Sequence, residues 1–302
     1  MAKTIVVLYG GDSAEREVSL RSGKAVLEAL QNLGLNATGF DPAERSVTEL
    51  ASMNVAKVLI MLHGRGGEDG AIQGALQTMG LAYTGSDVLG SALAMDKIRS
   101  KQIFESLQLP TADYRVIHRD DFRDIDAAAV MTELGGTVMV KPSLEGSSIG
   151  MTKVLSASEL GDALVNAFKY DDSILIERFV EGQEFTVSIV ANKVLPSIRM
   201  QTPRTFYDYQ AKYQSDTTEY FCPSGLSDTE EQELGKLSLS AFQAVGASGW
   251  GRVDLMRDED GHFYLLEVNT VPGMTEKSLV PMAAKQAGMR FEDLVRAILE
   301  TG

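Results

Sequence analysis

The stretch WGRVDLMRDEDGHFYLLEVNTVPG, residues 250–273, reads as two short strands about a polar turn, Arg257-Asp258-Glu259-Asp260-Gly261. Pairing Arg257 with His262 sets Arg252 opposite Glu267 and Asp254 opposite Leu265. Residues directly opposite, or two apart on one strand, share a face. Arg252, Asp254, Glu267 and Asn269 then converge on one face, and Val253, Leu255, Tyr264, Leu266 and Val268 take the other. A slip of one residue would mix the two sets. Two carboxylates and an amide oxygen brought together repel unless something positive neutralises them. An all-oxygen set suits a hard cation such as Mg²⁺, which keeps waters and completes its shell with phosphate oxygens. The competing reading is a surface hairpin carrying an Arg252–Glu267 salt bridge. Polar residues interrupting otherwise apolar strands speak against it.

Working outward, the chain of 302 residues has length for two domains or three small ones, and a hydrophobic share of 44% provides a real core. A net charge of −14 with scattered basic residues argues against a nucleic-acid partner and against a membrane-surface helix. It does not argue against a phosphorylated ligand, which a few local lysines can serve. The single cysteine, Cys222, allows no internal disulfide. The apolar run at the N-terminus is too short for a signal peptide and no stretch is long enough to span a bilayer, so a cytoplasmic location is expected.

The apolar run Thr4–Tyr9 predicts a buried parallel strand, followed by Gly10-Gly11 and helical spacing from Glu17. GGDSAE is not the GxGxxG of a dinucleotide site. Glu15 stands at the strand's carboxyl end, where open α/β sheets place ligands, but a first-turn acid also suits the helix dipole. Further strands are expected at Asn36–Phe40, Lys57–Leu62 and Ala82–Thr84, with a helix over Ala71–Met79. The third strand runs into HGRGGEDG, where glycines let a ligand approach the backbone beside His63.

A helix is predicted over Asp96–Leu107, then strands at Tyr114–Ile117, Val138–Lys141 and Ile174–Ile176. Between the last two, PSLEGSSIGMTKV follows Lys141, and small residues with free N–H groups can wrap phosphate oxygens. It is not a Walker A sequence, and a plain hairpin loop is the alternative. Strands at Glu184–Val190 and Val194–Met200 lead to a long aromatic-rich polar loop, Thr202–Ser224, of the kind that serves as a lid. A helix over Asp228–Val245 precedes the hairpin, and two short helices, Ser278–Gln286 and Phe291–Glu300, close the chain.

Nine segments, in order GGDSAEREVSL, LHGRGGEDG, MDKIRSK, KPSLEGSSIGM, EFTV, FYDYQAKY, GWGRVDLM, LLEVNTVPGMT and SLVPMAA, resemble motifs of the ATP-grasp ligases and, within them, the D-alanine–D-alanine ligase family. Val268, where Ala or Ile is also common, is the one small departure noted. The resemblance covers nearly the whole chain. It implies an α/β (α+β) ATP-grasp fold with an N-terminal open parallel α/β domain (1–95), a central ATP-grasp subdomain (96–180) and a C-terminal one (181–302) with lid loop 202–224.

By motif matching, it implies Lys97 and Lys141 on the α- and β-phosphates of ATP, with the Ser147–Gly150 loop, including Ser148, folded over them. Glu177, Arg178, Phe179 and Val180 would read adenine, Glu184 the ribose and Lys212 the γ-phosphate. Asp254, Glu267 and Asn269 would hold two Mg²⁺ ions, with Mn²⁺ an alternative and a monovalent cation left open. Arg252 and the Gly273 amide would bind the oxyanion; Glu15 and His63 would lie by the first D-alanine, and Ser278 and the Leu279 amide by the second carboxylate. Glu15, Ser147 and Tyr213 would form one hydrogen-bonded set, and Tyr213, where ester-forming relatives have Phe, points to a dipeptide product. The implied activity is ATP-dependent ligation of two D-alanines through an acyl phosphate, for peptidoglycan precursors, by a cytoplasmic homodimer. The alternatives are a D-alanyl–D-lactate ligase of the same fold and a non-catalytic nucleotide-binding regulator.

Overall fold

Three sheets follow one another along the chain. The computed structural model describes residues 3–201 and 218–301. The first sheet is parallel, in the order β2-β1-β3, from β1 (Thr4–Leu8), β2 (Ala37–Phe40) and β3 (Val55–Ile60). Helix α1 (Arg16–Asn32) makes the crossover from β1 to β2, and α2 (Ala71–Thr78) follows β3. The strand expected at Ala82–Thr84 is reduced to one parallel bridge, Val58 to Tyr83. Val6, Val7 and Leu8 are fully enclosed, as a strand covered on both faces requires.

Two helices then lie end to end, α3 (Val88–Met95) and α4 (Lys97–Ser106). Asp96 separates them and caps α4, accepting from the Ile98 and Arg99 amides at 3.0 and 3.1 Å. The second sheet is antiparallel, β4-β7-β5-β6, from β4 (Tyr114–His118), β5 (Val138–Pro142), β6 (Thr152–Val154) and β7 (Ser173–Arg178). Helices α5 (Ala127–Glu133) and α6 (Ala157–Ala167) cover it around Leu160, Leu164, Val140 and Ile176.

The third sheet runs β11-β10-β8-β12-β13, with β9 beside β8: β8 (Gly182–Val190), β9 (Lys193–Val194), β10 (Ile198–Gln201), β11 (Glu219–Phe221), β12 (Trp250–Asp258) and β13 (Phe263–Asn269). The strand expected over Val194–Met200 is split into β9 and β10. Pro196 cannot donate to a ladder, and Ser197 turns its N–H and hydroxyl to Glu231, both at 2.6 Å. Helix α7 (Asp228–Ala244) carries that glutamate. Phe104 of α4 and Phe242 of α7 pack with Phe185, Leu255 and Leu265 of this sheet. The last helices, α8 (Leu279–Gln286) and α9 (Phe291–Leu299), return to the first sheet, placing Val280, Leu294 and Ile298 in the core with Leu8, Val26 and Ile60.

The β12–β13 register corrects the expected pairing. Near the turn Arg257 faces Phe263 and Leu255 faces Leu265, one residue off the expected pairs. An irregularity between Asp254 and Leu255 then brings Asp254 opposite Glu267 and Arg252 opposite Asn269. Leu266 is the extra residue of this bulge, which shifts one strand against its partner. The second shift restores the polar face, since a two-residue offset preserves side-chain alternation. Leu265 enters the core, while Leu266 lines a cavity with Asp254 and Glu267, against the expectation that it shares the face opposite them.

Candidate functional site

A cavity of about 540 Å³ lies between the second and third sheets. Lys141 and Met139 of β5, Glu177 of β7 and Phe179 form one wall; Glu184, Asp254 and Glu267 form the other. A second cavity, about 200 Å³, opens from the end of the β12–β13 hairpin toward the first sheet, lined by Glu15, His63, Arg252, Asn269, Gly273 and Ser278 among others. Gly146, Ser147 and Glu267 line both. The hairpin's polar face is therefore the floor on which the two spaces meet.

On that floor Asp254 is 4% exposed and makes a bidentate pair with Arg252, Nε to Oδ1 and Nη2 to Oδ2 at 2.8 Å each. Thr186, opposite on β8, donates to Oδ1 at 2.6 Å, and the Asn269 amide donates to Oδ2 at 2.9 Å. Glu267 pairs with Lys97 at 3.3 Å rather than with Arg252, so the surface-bridge reading of the hairpin fails. Two carboxylates and an amide now stand at adjacent facing positions beside a polar cavity, a donor set that fits Mg²⁺. An exposed group, Asp258, Asp260 and His262, clusters at the hairpin turn, away from both cavities.

Helix α4 brings Lys97 to the first cavity. Lys97 and Lys101, one turn apart, share a face. Lys97 donates to the Glu145 carbonyl at 2.6 Å, tying the helix to the loop after β5. Lys101 is fully buried, 2.8 Å from Glu177 Oε2 and 2.6 Å from Thr111 Oγ1. Lys141 reaches the other Glu177 oxygen at 2.9 Å. Burial alone would push the Glu177 carboxyl up, but the charges and hydrogen bonds of Lys101 and Lys141 hold it down at about 2. For Lys101 burial dominates and lowers its pKa, against the pull of Glu177. Glu177 thus anchors Lys141 at the cavity wall. Phe179 and Val180 also line the cavity, and Lys153 sits over the Phe179 ring at 3.6 Å. Arg178 alternates away: its guanidinium lies over Tyr264, 3.6 Å from Asp113 at Nε, and it does not line the cavity.

The loop Glu145–Gly150 crosses between the cavities. Ser147 and Ser148 adopt φ of 50° and 60°, a conformation that side chains take only where the surroundings impose it. The Ser147 hydroxyl donates to Glu15, and Arg65 reaches Glu145 at 2.7 Å. A Cβ on Gly146 would come 2.8 Å from Glu15 Oε2, so a side chain here would have to displace the Glu15 carboxylate. Lys212, Tyr213 and most of the loop 202–224 lie outside the described residues.

His63 is buried and turned inward. Its Nδ1 lies 2.7 Å from the Val271 carbonyl and must donate; Nε2 lies 3.2 Å from Ser22 Oγ and therefore accepts in the neutral ring. Burial lowers its pKa, against the nearby Glu15 charge, which favours that neutral form. Both ring nitrogens are committed to protein atoms, so His63 shapes the cavity rather than presenting a charge to it. Glu68, from the same loop, accepts from the Gly64 amide at 2.7 Å and the Val271 amide at 3.3 Å. Burial, reinforced by Glu15, pushes its pKa up to about 8. Ser278 and Leu279 stand at the start of α8, where Ser278 Oγ accepts from the Thr275 amide at 2.9 Å.

The sequence reading missed Lys101, Glu68, Ser22 and Thr186. Lys101 was legible as the residue one turn beyond Lys97, and Glu68 as the acid inside HGRGGEDG. Ser22 and Thr186 carry no local signal, since only the tertiary fold brings them to their partners.

A nucleotide-sized cleft between two sheets, lysines on one wall and an oxygen-donor floor on the other, defines an ATP-grasp ligase. The chain matches the family model "D-ala D-ala ligase C-terminus" over residues 103–300. It is 61% identical over 297 residues to a D-alanine–D-alanine ligase from Pseudoalteromonas atlantica, covering 98% of this chain and 93% of that one. Among solved structures, the D-alanine–D-alanine ligase of Bacillus anthracis complexed with ATP superposes with a TM-score of 0.87 at 32% identity, over 99% of this chain and 97% of that one. The VanG D-Ala:D-Ser ligase of Enterococcus faecalis superposes with a TM-score of 0.84 at 27% identity, over 99% and 98% of the two chains. The chain belongs to the D-alanine–D-alanine ligase family.

Proposed function

We propose that the chain joins two D-alanines to D-alanyl-D-alanine through an acyl phosphate, releasing ADP and phosphate. The observation that carries this reading is Glu267 and the Gly146–Ser147 loop lining both cavities, which makes the phosphate space and the amino-acid space continuous at one point. In the first step a carboxylate oxygen of the first D-alanine attacks the γ-phosphorus and the bond to the bridging oxygen of ADP breaks. Lys97 and Lys141 balance charge on the phosphates, with Lys141 held in place by Glu177. Mg²⁺ bound by Asp254, Glu267 and Asn269 would supply further positive charge to the transferring group. In the second step the amine of the second D-alanine attacks the acyl carbon. Arg252 and the Gly273 amide face the cavity where the oxyanion forms, and phosphate departs as it collapses.

Glu15 receives the first substrate's ammonium, and the start of α8 at Ser278 and Leu279 receives the second carboxylate. The division at 1–95, 96–180 and 181–302 rests on one sheet in each part. The reading extends to a homodimer that supplies peptidoglycan precursors in the cytoplasm. Among the described residues no helix is long and apolar enough to cross a membrane. The test offers D-alanine, D-lactate and D-serine together with ATP and Mg²⁺ and identifies the products. D-Alanyl-D-alanine as the main product is expected. A depsipeptide, a D-serine product or ATP turnover without ligation would overturn the assignment.

A further inference from the structure

The turn that presents Gly273 is held from both ends by the first domain. Val271, before the Pro272-Gly273 pair, gives its carbonyl to His63 at 2.7 Å and its amide to Glu68 at 3.3 Å. Met274, after it, gives its amide to Ser22 Oγ at 3.0 Å. Ser22 closes the circuit by donating to His63 Nε2, at 3.2 Å. The donor and acceptor count is consistent throughout: a neutral His63 with its proton on Nδ1 leaves Ser22 a hydrogen to give and a lone pair to receive. Helix α1, the loop after β3 and the segment after β13 thus meet at five residues. None of the five needs to touch substrate for the circuit to stand.

We propose that Glu68, Ser22 and His63 are positioning residues that aim the Gly273 amide at the oxyanion by clamping Val271 and Met274. This inference rests on the ligase reading above. An oxyanion donor works only if its direction is fixed before charge develops. Gly273 has few internal restraints of its own, and a Cβ there would come 3.1 Å from Ser278 Oγ, so no side chain can stiffen it without crowding α8. The stiffness comes instead from the flanks. Glu68 suits this task as a carboxylic acid: Glu15, just before α1, and Arg252 of β12 act on it, and burial keeps its proton on near neutrality. A second full negative charge beside Glu15 would compete for Arg252.

The test measures dipeptide and phosphate in the same sample with D-alanine, ATP and Mg²⁺, for the wild type and three variants. In Glu68→Leu the Gly64 and Val271 amides lose their acceptor. A misaimed Gly273 slows amine attack, and the acyl phosphate is lost to water. Dipeptide formed per phosphate released should fall about tenfold, while the KM for ATP stays within about twofold. Ser22→Ala should uncouple in the same sense, and Glu68→Gln, which keeps one of the two acceptor oxygens, should restore part of the ratio. Amide hydrogen exchange over residues 271–274 reads the clamp without turnover, and both damaging variants should quicken it. Unchanged ratios in the folded Glu68→Leu and Ser22→Ala proteins, or unchanged exchange, would overturn the clamp. So would a Gln variant as uncoupled as the Leu variant. A wild type that forms no dipeptide would sink the ligase reading instead, and the exchange data would still judge the clamp.

Discussion

Two glutamates, one on each side of the shared floor, solve the problem of a desolvated carboxyl in opposite ways. Glu177, on the proposed nucleotide side, is only 3% exposed and keeps its charge, because Lys101 and Lys141 flank both oxygens. Glu68, on the proposed substrate side, accepts from two backbone amides, and burial, reinforced by Glu15, pushes its pKa up to about 8. In the proposed reaction the nucleotide side would hold lysines against a polyanion, and a buried anion pins them. The substrate side would admit an ammonium and a carboxylate, and an extra fixed charge would bias that balance. Burial pushes both carboxyls up, and at Glu177 the two lysines outweigh it.

The largest test of this contrast is Glu177→Gln, which strands the fully enclosed Lys101 without its counter-charge. Stability should fall by about 3–5 kcal/mol, read from urea midpoints at neutral pH. Adding Lys101→Met to that variant should recover part of the loss, and a single variant as stable as wild type would break the comparison. Next comes Glu267→Gln, on the floor between the two regions. Its kcat should drop about a hundredfold or more with the urea midpoint little changed. Normal turnover at limiting Mg²⁺ would remove Glu267 from the metal set.

A smaller effect separates the two glutamates by pH. The folded pKa of Glu177, about 2, lies below its ordinary value of 4.5, so the unfolded chain binds the proton first. Its contribution is present above about pH 4.5 and is lost as pH falls toward 2, a swing of about 3 kcal/mol. Glu177→Gln should lack that acid limb. Glu68 runs the other way: with a folded pKa of about 8, the native state keeps a proton that the unfolded chain loses above 4.5. Stability therefore falls as pH rises between those values, damped because Glu68 is partly exposed to its cavity. Glu68→Gln should flatten that slope, by less than about 1 kcal/mol per pH unit. A slope identical to wild type would mean that Glu68 is ionised across the range.

Much of this arrangement was legible in the residues alone. The polar face of the hairpin followed from alternation, although the register did not. The bulge at Leu266 accompanies the packing of Leu265 with Leu255 and Phe185, which no local pattern announces. Helix α6 went unread even though Ser156 and Glu159 form a capping box that the sequence displays. Helix α3 is eight residues long and mostly apolar, and such a run has no clear period. The site was visible where one motif carries one ligand, as at Lys141 or Asp254. It was hidden where a residue acts through another, as Thr186 does through Asp254 and Ser22 through Met274. Those partners meet only after distant segments fold together.

The return of α8 and α9 to the first sheet bears on how the protein is born. Leu8, Val26 and Ile60 leave the ribosome well before Val280, Leu294 and Ile298. The first sheet cannot close its core until α8 and α9 have been made. That sheet thus matures after segments translated later than itself, and a chain stopped short of residue 279 would leave an apolar face of it open to water.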